Sequence, residues 1–214
     1  MSSTDQKKGA NKPPPRRRLL REDRYRQLME TAWRLVREEG TEALTLGRLA
    51  EQSGVTKPVV YDHFGTRPRL LAALYREYDA RQNELMQSAL EASEPTLTHR
   101  AEVIASSYVD CVLLQGREIP GVIAALAGSP EMEKIKREYE VAFAEKCRNA
   151  LAPFAENGAI APAGLWAMLG AAEALSYAAA AGEITAEQAR DELFETILAM
   201  VTRSDRRARQ NSNL

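Results

Sequence analysis

The chain has 214 residues, of which 28% are charged, and a formal net charge of −1. This length allows one large or two small domains with a real core, and so small a net charge argues by itself against a nucleic-acid-binding protein. Two cysteines, Cys111 and Cys147, are too few for a disulfide framework and lack metal-site spacing. No apolar run approaches the ~20 residues of a membrane span. We therefore expect no metal and no membrane contact, and buried thiols in a reducing cytoplasm, with a redox switch as the alternative.

The charge is unevenly distributed along the chain. Residues 1–81 carry 17 Lys and Arg against 11 Asp and Glu, whereas residues 82–214 carry 12 against 19. A basic head followed by an acidic body is typical of a protein whose head contacts DNA. Residues 1–20 contain three prolines and three arginines in succession, and we predict a disordered basic arm. Arg16, Arg17 and Arg18 are candidates for phosphate or minor-groove contacts, and a solubilising tail is the open alternative.

The next segment predicts a DNA-binding head over residues 21–66. An amphipathic first helix ends at Gly40, and a second helix follows the N-cap Thr45. Gly54 supplies the turn to a third helix over about 57–64. Small Ala50 and apolar Val60 suit the close crossing of a helix-turn-helix over residues 45–64. In such units the second helix of the pair enters the DNA major groove.

The remaining pattern predicts a helical body over residues 67–203. A fourth helix, from about 67 to 92, is long enough to connect head and body, and five further helices follow. No useful strand pattern appears, so the fold prediction is all-α with about nine helices. Residues 204–214 are predicted to be a disordered tail.

Residues 44–74, LTLGRLAEQSGVTKPVVYDHFGTRPRLLAAL, resemble the TetR family of transcriptional regulators. The most specific part is Tyr61-x-His63-Phe64, followed closely by a basic residue and a leucine-rich helix. The resemblance implies a homodimer that binds a palindromic operator in double-stranded DNA. It also implies, as the family's usual behaviour, repression that a small molecule bound in the body relieves. Two-fold symmetry would place the recognition helices about 34–36 Å apart.

Eight head residues are candidates for DNA contact: Thr45, Thr56, Lys57, Pro58, Val59, Tyr61, His63 and Arg67. Thr45 and Thr56 begin helices, whose N-termini favour phosphate, and capping alone is the alternative. Lys57 could reach phosphate or guanine, and Pro58 and Val59 suit a thymine methyl. The resemblance implies phosphate contacts for Tyr61, His63 and Arg67. Gly47 and Val59 lack polar groups that some family members carry at these places, which leaves base preference undetermined.

Two sets of body residues are candidates for binding. Apolar bulk with polar tips predicts a ligand pocket formed by Tyr108, Cys111, Tyr139, Phe143, Trp166 and Tyr177. A small-residue stripe in the eighth helix and an apolar face in the ninth predict a dimer interface formed by Ala167, Gly170, Ala171, Ala174, Ala178, Leu193, Phe194, Ile197 and Val201. Ordinary core packing is the alternative for both sets.

Two other classes of function are alternatives to a DNA-binding regulator. An enzyme is disfavoured because the chain has only two histidines and no Gly-rich phosphate loop, metal-site spacing or nucleophile motif. We therefore expect no catalytic residues and no cofactor. The second alternative is a helical ligand-binding or interaction protein that has lost sequence-specific DNA binding, and the intact set of Tyr61, His63 and Arg67 argues against it.

Overall fold

The structure is a computed structural model that describes residues 20–155 and 158–212. Within these ranges it contains nine α-helices, two short 3₁₀ turns and no β-strand, which confirms the all-α prediction. The basic arm predicted for residues 1–20 lies, apart from Leu20, outside the described residues. Of the helices described, none combines the length and apolar character that crossing a bilayer requires.

The helices in chain order are α1 (Arg21–Glu39), α2 (Leu46–Gln52), α3 (Lys57–Phe64), α4 (Arg67–Ala92), α5 (Leu97–Glu118), α6 (Pro120–Leu126), α7 (Pro130–Leu151), α8 (Pro162–Ala181) and α9 (Ala186–Ser212). The 3₁₀ turns are Thr41–Ala43, between α1 and α2, and Ala152–Phe154, after α7. The helical backbone of α9 continues to Ser212, so it includes most of the segment that we expected to form a disordered tail.

Side-chain caps fix where several helices begin. Thr45 Oγ1 accepts a hydrogen bond from the Arg48 N–H at 3.0 Å at the start of α2. Before α9, Thr185 and Gln188 form the reciprocal capping box, with bonds of 2.8 and 3.1 Å. Thr56 differs, because it precedes α3 in extended conformation but makes no side-chain cap bond. Its hydroxyl is therefore not used in capping.

Apolar side chains form two cores that α4 joins. The first core packs α1, α2 and α3 on the beginning of α4, where Leu70 and Leu74 are buried, and continues to Leu126 of α6. The second core fills the space among α5, α7, α8 and α9, and Met86 and Leu90 of α4 contribute to it. Because the first core extends beyond residue 66, our division into a head (21–66) and a body (67–203) remains a proposal. One helix of 26 residues, about 39 Å long, contributes to both cores.

Candidate nucleic-acid interface and body cavity

The turn between α2 and α3 holds these two helices in a defined crossing. Gly54 has a φ of 63°, a left-handed conformation that glycine adopts without strain. The Val55 N–H donates to the Ala50 carbonyl at 3.0 Å. Gln27 of α1 donates to the Ser53 carbonyl at 3.3 Å. The backbone of the turn is thus bonded both to α2 and to α1, which fixes the orientation of α3.

The two sides of α3 have different environments. Val60 and Phe64 are buried in the first core, and Val59 is half-buried. Five residues at and within the helix are exposed: Thr56, Lys57, Pro58, Tyr61 and Asp62. The Tyr61 side chain remains 53% exposed despite its size. An ammonium group, a phenol hydroxyl and a small apolar ring on one exposed face suit contacts to phosphates and base edges.

The start of α2 lies beside Lys57. A Cβ added to Gly47 would lie 3.7 Å from Lys57 Cε and 3.9 Å from Thr45 Oγ1. Thr45 is exposed, and its hydroxyl caps the helix, so the backbone N–H groups of the first turn of α2 lie at the same surface. Gly47 has no polar side chain to offer DNA. Because it is so small, it also leaves the Lys57 side chain close to the N-terminus of α2. We call Thr45, Thr56, Lys57, Pro58 and Tyr61 the head surface.

Arg67 differs from the expectation that it contacts phosphate. Its Nε donates to the Leu44 carbonyl at 2.9 Å, and its Nη2 donates to the Thr41 carbonyl at 2.8 Å. Nη2 also lies 3.5 Å from the Glu42 carboxylate. Because these donors are directed to the chain itself, Arg67 positions the loop that precedes α2.

Arg69 is a basic residue near the end of α3 that the sequence analysis did not single out. It is exposed in the first turn of α4, and its Nη1 would lie 3.5 Å from a Cβ on Gly65. The sequence gives no reason to expect different roles for Arg67 and Arg69. The structure distinguishes them, because the Arg67 guanidinium donates to backbone carbonyls of its own chain.

His63 packs against two aromatic rings, those of Tyr25 in α1 and Phe64 in α3. Its ring centroid lies 6.1 Å from that of Tyr25 and 6.2 Å from that of Phe64. Burial lowers the pKa of His63, and the charges of Arg21 and Arg24 lower it further. Asp62 raises it in part, so the net effect in the free protein is to favour the neutral imidazole.

The body contains a cavity of about 240 Å³ between α4, α5, α6, α7 and α8. Four of the six predicted pocket residues line it: Tyr108, Cys111, Tyr139 and Tyr177. Phe143 lies behind this wall, 2% exposed and stacked on Tyr139 with centroids 5.7 Å apart. Trp166 is not at the cavity, because it is exposed on α8 with the Arg137 guanidinium 4.7 Å from its ring centroid. The cavity also has Tyr75 and Gln115 in its wall, which the sequence analysis did not select.

The predicted dimer residues divide into two groups. On α8, Ala167, Gly170 and Ala174 are exposed, and Ala171 and Ala178 are half-buried. On α9, Phe194 is half-buried, but three other residues are at most 1% exposed in the chain's own core: Leu193, Ile197 and Val201. The surface on which a second copy could pack therefore lies mainly on α8, and these three residues are not part of it.

The two cysteines are buried thiols. Burial raises the pKa of Cys111 to about 12 and raises that of Cys147 as well. A thiol with a raised pKa is a poor nucleophile at neutral pH. Among the described residues, no three His, Cys, Asp or Glu side chains are grouped as a metal ion would require.

The head matches the model of a known family. The description of that family is bacterial regulatory proteins, tetR family, and the match covers residues 28–74, which include all of α2 and α3. The chain is 28% identical over 120 residues to the transposon Tn10 TetC protein of Escherichia coli, across 54% of this chain and 58% of that protein. It is 31% identical over 111 residues to the HTH-type transcriptional activator FasR of Mycolicibacterium smegmatis, across 50% of this chain and 49% of that protein. These matches span about half the length of both relatives.

The fold also resembles solved structures over most of the chain. A candidate TetR-family transcriptional regulator from Rhodococcus sp. superposes with a TM-score of 0.60 at 19% identity, across 84% of this chain and 99% of that one. At this identity the likeness shows a shared fold alone. Together with the motif match, however, it agrees with a helix-turn-helix head attached to a helical body. Residues 28–74 thus match the tetR family of bacterial regulatory proteins, and they contain the helix-turn-helix pair α2 and α3.

Proposed function

We propose that the protein is a ligand-responsive repressor that binds a palindromic operator as a homodimer. The observation that carries the proposal is the position of α4. This helix begins beside the head surface and contributes Tyr75 to the wall of the body cavity. A molecule that fills the cavity would contact the same rigid element that carries the head, so that it can bias the spacing of two heads.

The dimer part of the proposal rests on α8. An exposed stripe of small residues, flanked by Trp166 and Tyr177, allows a helix of a second copy to approach closely. Trp166 is 39% and Tyr177 60% exposed, and both are large apolar side chains that a partner would cover. Phe194 and Leu198 of α9 pack against the chain's own second core but are only half-buried, so part of each side chain stays available to a partner.

Release of DNA requires that the effector bind the DNA-incompetent arrangement of the heads more tightly than the competent one. Repression follows if the operator overlaps a promoter. The FasR relative is named an activator, so the direction of regulation is itself a measured outcome.

Selection of genomic fragments by the purified protein tests the proposal. We expect enriched fragments to share two inverted half-sites whose centres are about 34–36 Å apart, one turn of the double helix. A reporter gene placed behind such a fragment should be expressed more strongly when the protein is absent. A single asymmetric site would contradict the dimeric arrangement, and lower expression without the protein would identify an activator.

A further inference from the structure

Tyrosine rings from four helices border the body cavity: Tyr75 of α4, Tyr108 of α5, Tyr139 of α7 and Tyr177 of α8. Phe143 restrains two of these rings, since it meets the Tyr108 ring edge-on with centroids 5.2 Å apart and stacks on Tyr139 at 5.7 Å. Aromatic rings pack well against the faces and edges of other rings. The cavity wall therefore favours a flat ring as its occupant.

The size and the remaining wall of the cavity agree with a small apolar ring system. Val112, Ile123, Met132 and Leu169 contribute apolar side chains to the wall. The volume is about 240 Å³. A dry apolar cavity of about 150 Å³ holds a single benzene ring. The space here is therefore large enough for a ring with substituents or for a pair of fused rings.

The charged side chains at the cavity are already paired. Its lining includes Lys136, Glu140 and Glu173. Lys136 Nζ donates to Glu173 Oε1, which joins α7 to α8, and the Glu140 carboxylate lies 3.4 Å from an Arg137 nitrogen. A charged ligand would lose its hydration in a site where each charge already has a partner, so the loss would not be compensated. The cavity therefore favours an uncharged molecule.

The Tyr108 hydroxyl is a buried donor in the cavity wall. Tyr108 is 8% exposed and lines the cavity, yet its hydroxyl makes no hydrogen bond to any group in the described ranges. Gln115 differs, because its Nε2 donates to Cys111 Sγ at 3.8 Å, and Tyr139 and Tyr177 are more open to solvent. Burial raises the pKa of Tyr108, so the phenol stays protonated and able to donate. A buried donor without an acceptor costs free energy that a ligand acceptor would recover.

We propose that the cavity binds a small uncharged aromatic molecule with a carbonyl or similar acceptor oxygen, to which the Tyr108 hydroxyl donates a hydrogen bond. The inference rests on the proposed function, which places the effector in this cavity. The tyrosine rings and apolar side chains would cover the ring system, and Tyr108 would fix its orientation. A charged ligand would have to compete with the existing ion pairs, whereas a pure hydrocarbon would leave the Tyr108 hydroxyl unpaired.

Calorimetric titration of the full-length chain at pH 7.5 with four probes of one two-ring skeleton tests the proposal. The probes are the ketone 1-tetralone, the hydrocarbon tetralin, the protonated amine 1-aminotetralin and the anion tetralin-1-carboxylate. We expect 1-tetralone to bind at least about tenfold more tightly than either charged probe. Tyr108→Phe keeps the ring and removes the hydroxyl, so it should weaken 1-tetralone about three- to tenfold and change tetralin less than about twofold.

A matched control and a stability measurement accompany the titration. Tyr25→Phe removes a hydroxyl from a tyrosine of α1 that is not part of the cavity wall, and it should leave all four affinities unchanged. Tyr108→Phe should unfold at or above the wild-type melting temperature, because it loses an unpaired buried polar group. A lower melting temperature would mean that the hydroxyl is already bonded within the chain, which overturns its assignment to the ligand.

The alternative results separate this proposal from the proposed function. Tighter binding of the amine or the carboxylate, an unchanged affinity of Tyr108→Phe for 1-tetralone, or no binding of 1-tetralone would overturn the uncharged-acceptor class. Release of DNA is measured separately, on an operator fragment recovered by genomic selection. If 1-tetralone binds as expected but leaves the operator complex intact, the class is supported and effector release is contradicted. Release of DNA by a charged probe alone supports effector release and overturns the class.

Discussion

The head surface and the body cavity are built in opposite ways. The head surface comes from residues 45–61, whose positions follow from two short helices and the turn between them. The cavity wall takes side chains from residues as distant as Tyr75 and Tyr177, brought together by the packing of five helices. A short motif can therefore identify the head, whereas no local pattern identifies the cavity. In this chain the DNA-binding unit is a local property of the sequence and the ligand site is a property of the whole body.

The largest effect on operator affinity is expected from a substitution in the proposed dimer surface on α8. Gly170→Arg should prevent close approach at α8, since an added Cβ has nothing within 4 Å in the protomer and would extend into the proposed interface. Operator affinity should fall at least a hundredfold because the two heads no longer bind as one unit, and sedimentation should show a monomer. Gly116→Arg on α5 is the control, because a Cβ there also meets nothing within 4 Å. If the Gly170→Arg protein remains a dimer, α8 does not form the dimer interface.

A smaller loss is expected within the head surface. Lys57→Ala should weaken operator binding about tenfold, or about 1.4 kcal/mol, and reduce the slope of log affinity against log salt by about one if the lysine contacts phosphate. The fold should be preserved because the Lys57 side chain is exposed. Mobility shifts at several salt concentrations measure both quantities. Lys134→Ala, at an exposed lysine of α7, serves as the control. An unchanged operator affinity of Lys57→Ala would mean that Lys57 does not contact DNA.

The close contact between Gly121 of α6 and Thr41, in the turn before α2, gives a third prediction. A Cβ on Gly121 of α6 would overlap the Thr41 hydroxyl and lie 3.0 Å from Thr41 Cβ. Gly121→Ala should therefore lower the free energy of unfolding by about 1–3 kcal/mol through overpacking. Gly116→Ala, in open space, should instead raise it by a few tenths to about 1 kcal/mol, because alanine favours the helix. Denaturant titration measures both.

Gly121→Ala should also alter how a bound ligand affects the head, because the Thr41 carbonyl accepts a hydrogen bond from Arg67 of α4. The contact between α6 and Thr41 thus connects to the helix that carries the head. Equal stabilities of Gly121→Ala and wild type would mean that α6 can shift away from this turn without cost.

The limits of sequence reasoning follow the same contrast between local and distant contacts. The helix-turn-helix and its exposed residues were predictable because turn glycine, N-cap and apolar spacing all act within about one or two helical turns. Arg67 was assigned differently because its acceptors, the carbonyls of Leu44 and Thr41, lie more than 20 residues earlier in the chain. Its chemistry suits phosphate and carbonyl oxygen equally, and only the fold decides between them.

The body shows this limit more strongly. Leu193, Ile197 and Val201 form an apolar stripe that periodicity identifies, but the stripe is used by the chain's own core. An apolar face gives no indication of whether its partner is in the same chain or in a second copy. Asp79 is a second case, since its sequence neighbours give no sign that its carboxylate would be half-buried.

The smallest effect concerns the stability cost of that carboxylate. The pKa of Asp79 is raised from 3.8 to about 6, so the folded chain holds the proton more tightly than the unfolded chain does. Stability should therefore decrease as the pH rises through this window and stay lower above it. Asp79→Asn removes the ionised form and should stabilise the fold at pH 7 by about 1 kcal/mol, once the partial exposure of the carboxylate is discounted. The gain should vanish towards pH 4, where aspartic acid is itself protonated in the folded chain.

Thermal unfolding of wild type, Asp79→Asn and the control Glu84→Gln, at an exposed carboxylate on the same helix, at pH 4, 5.5 and 7 tests this expectation. A stabilised Asp79→Asn protein would show that the ionised carboxylate costs stability, as expected of a charge held in a poorly hydrated site. A melting temperature of Asp79→Asn equal to that of wild type at pH 7 would instead mean that water or Lys146 already compensates the carboxylate.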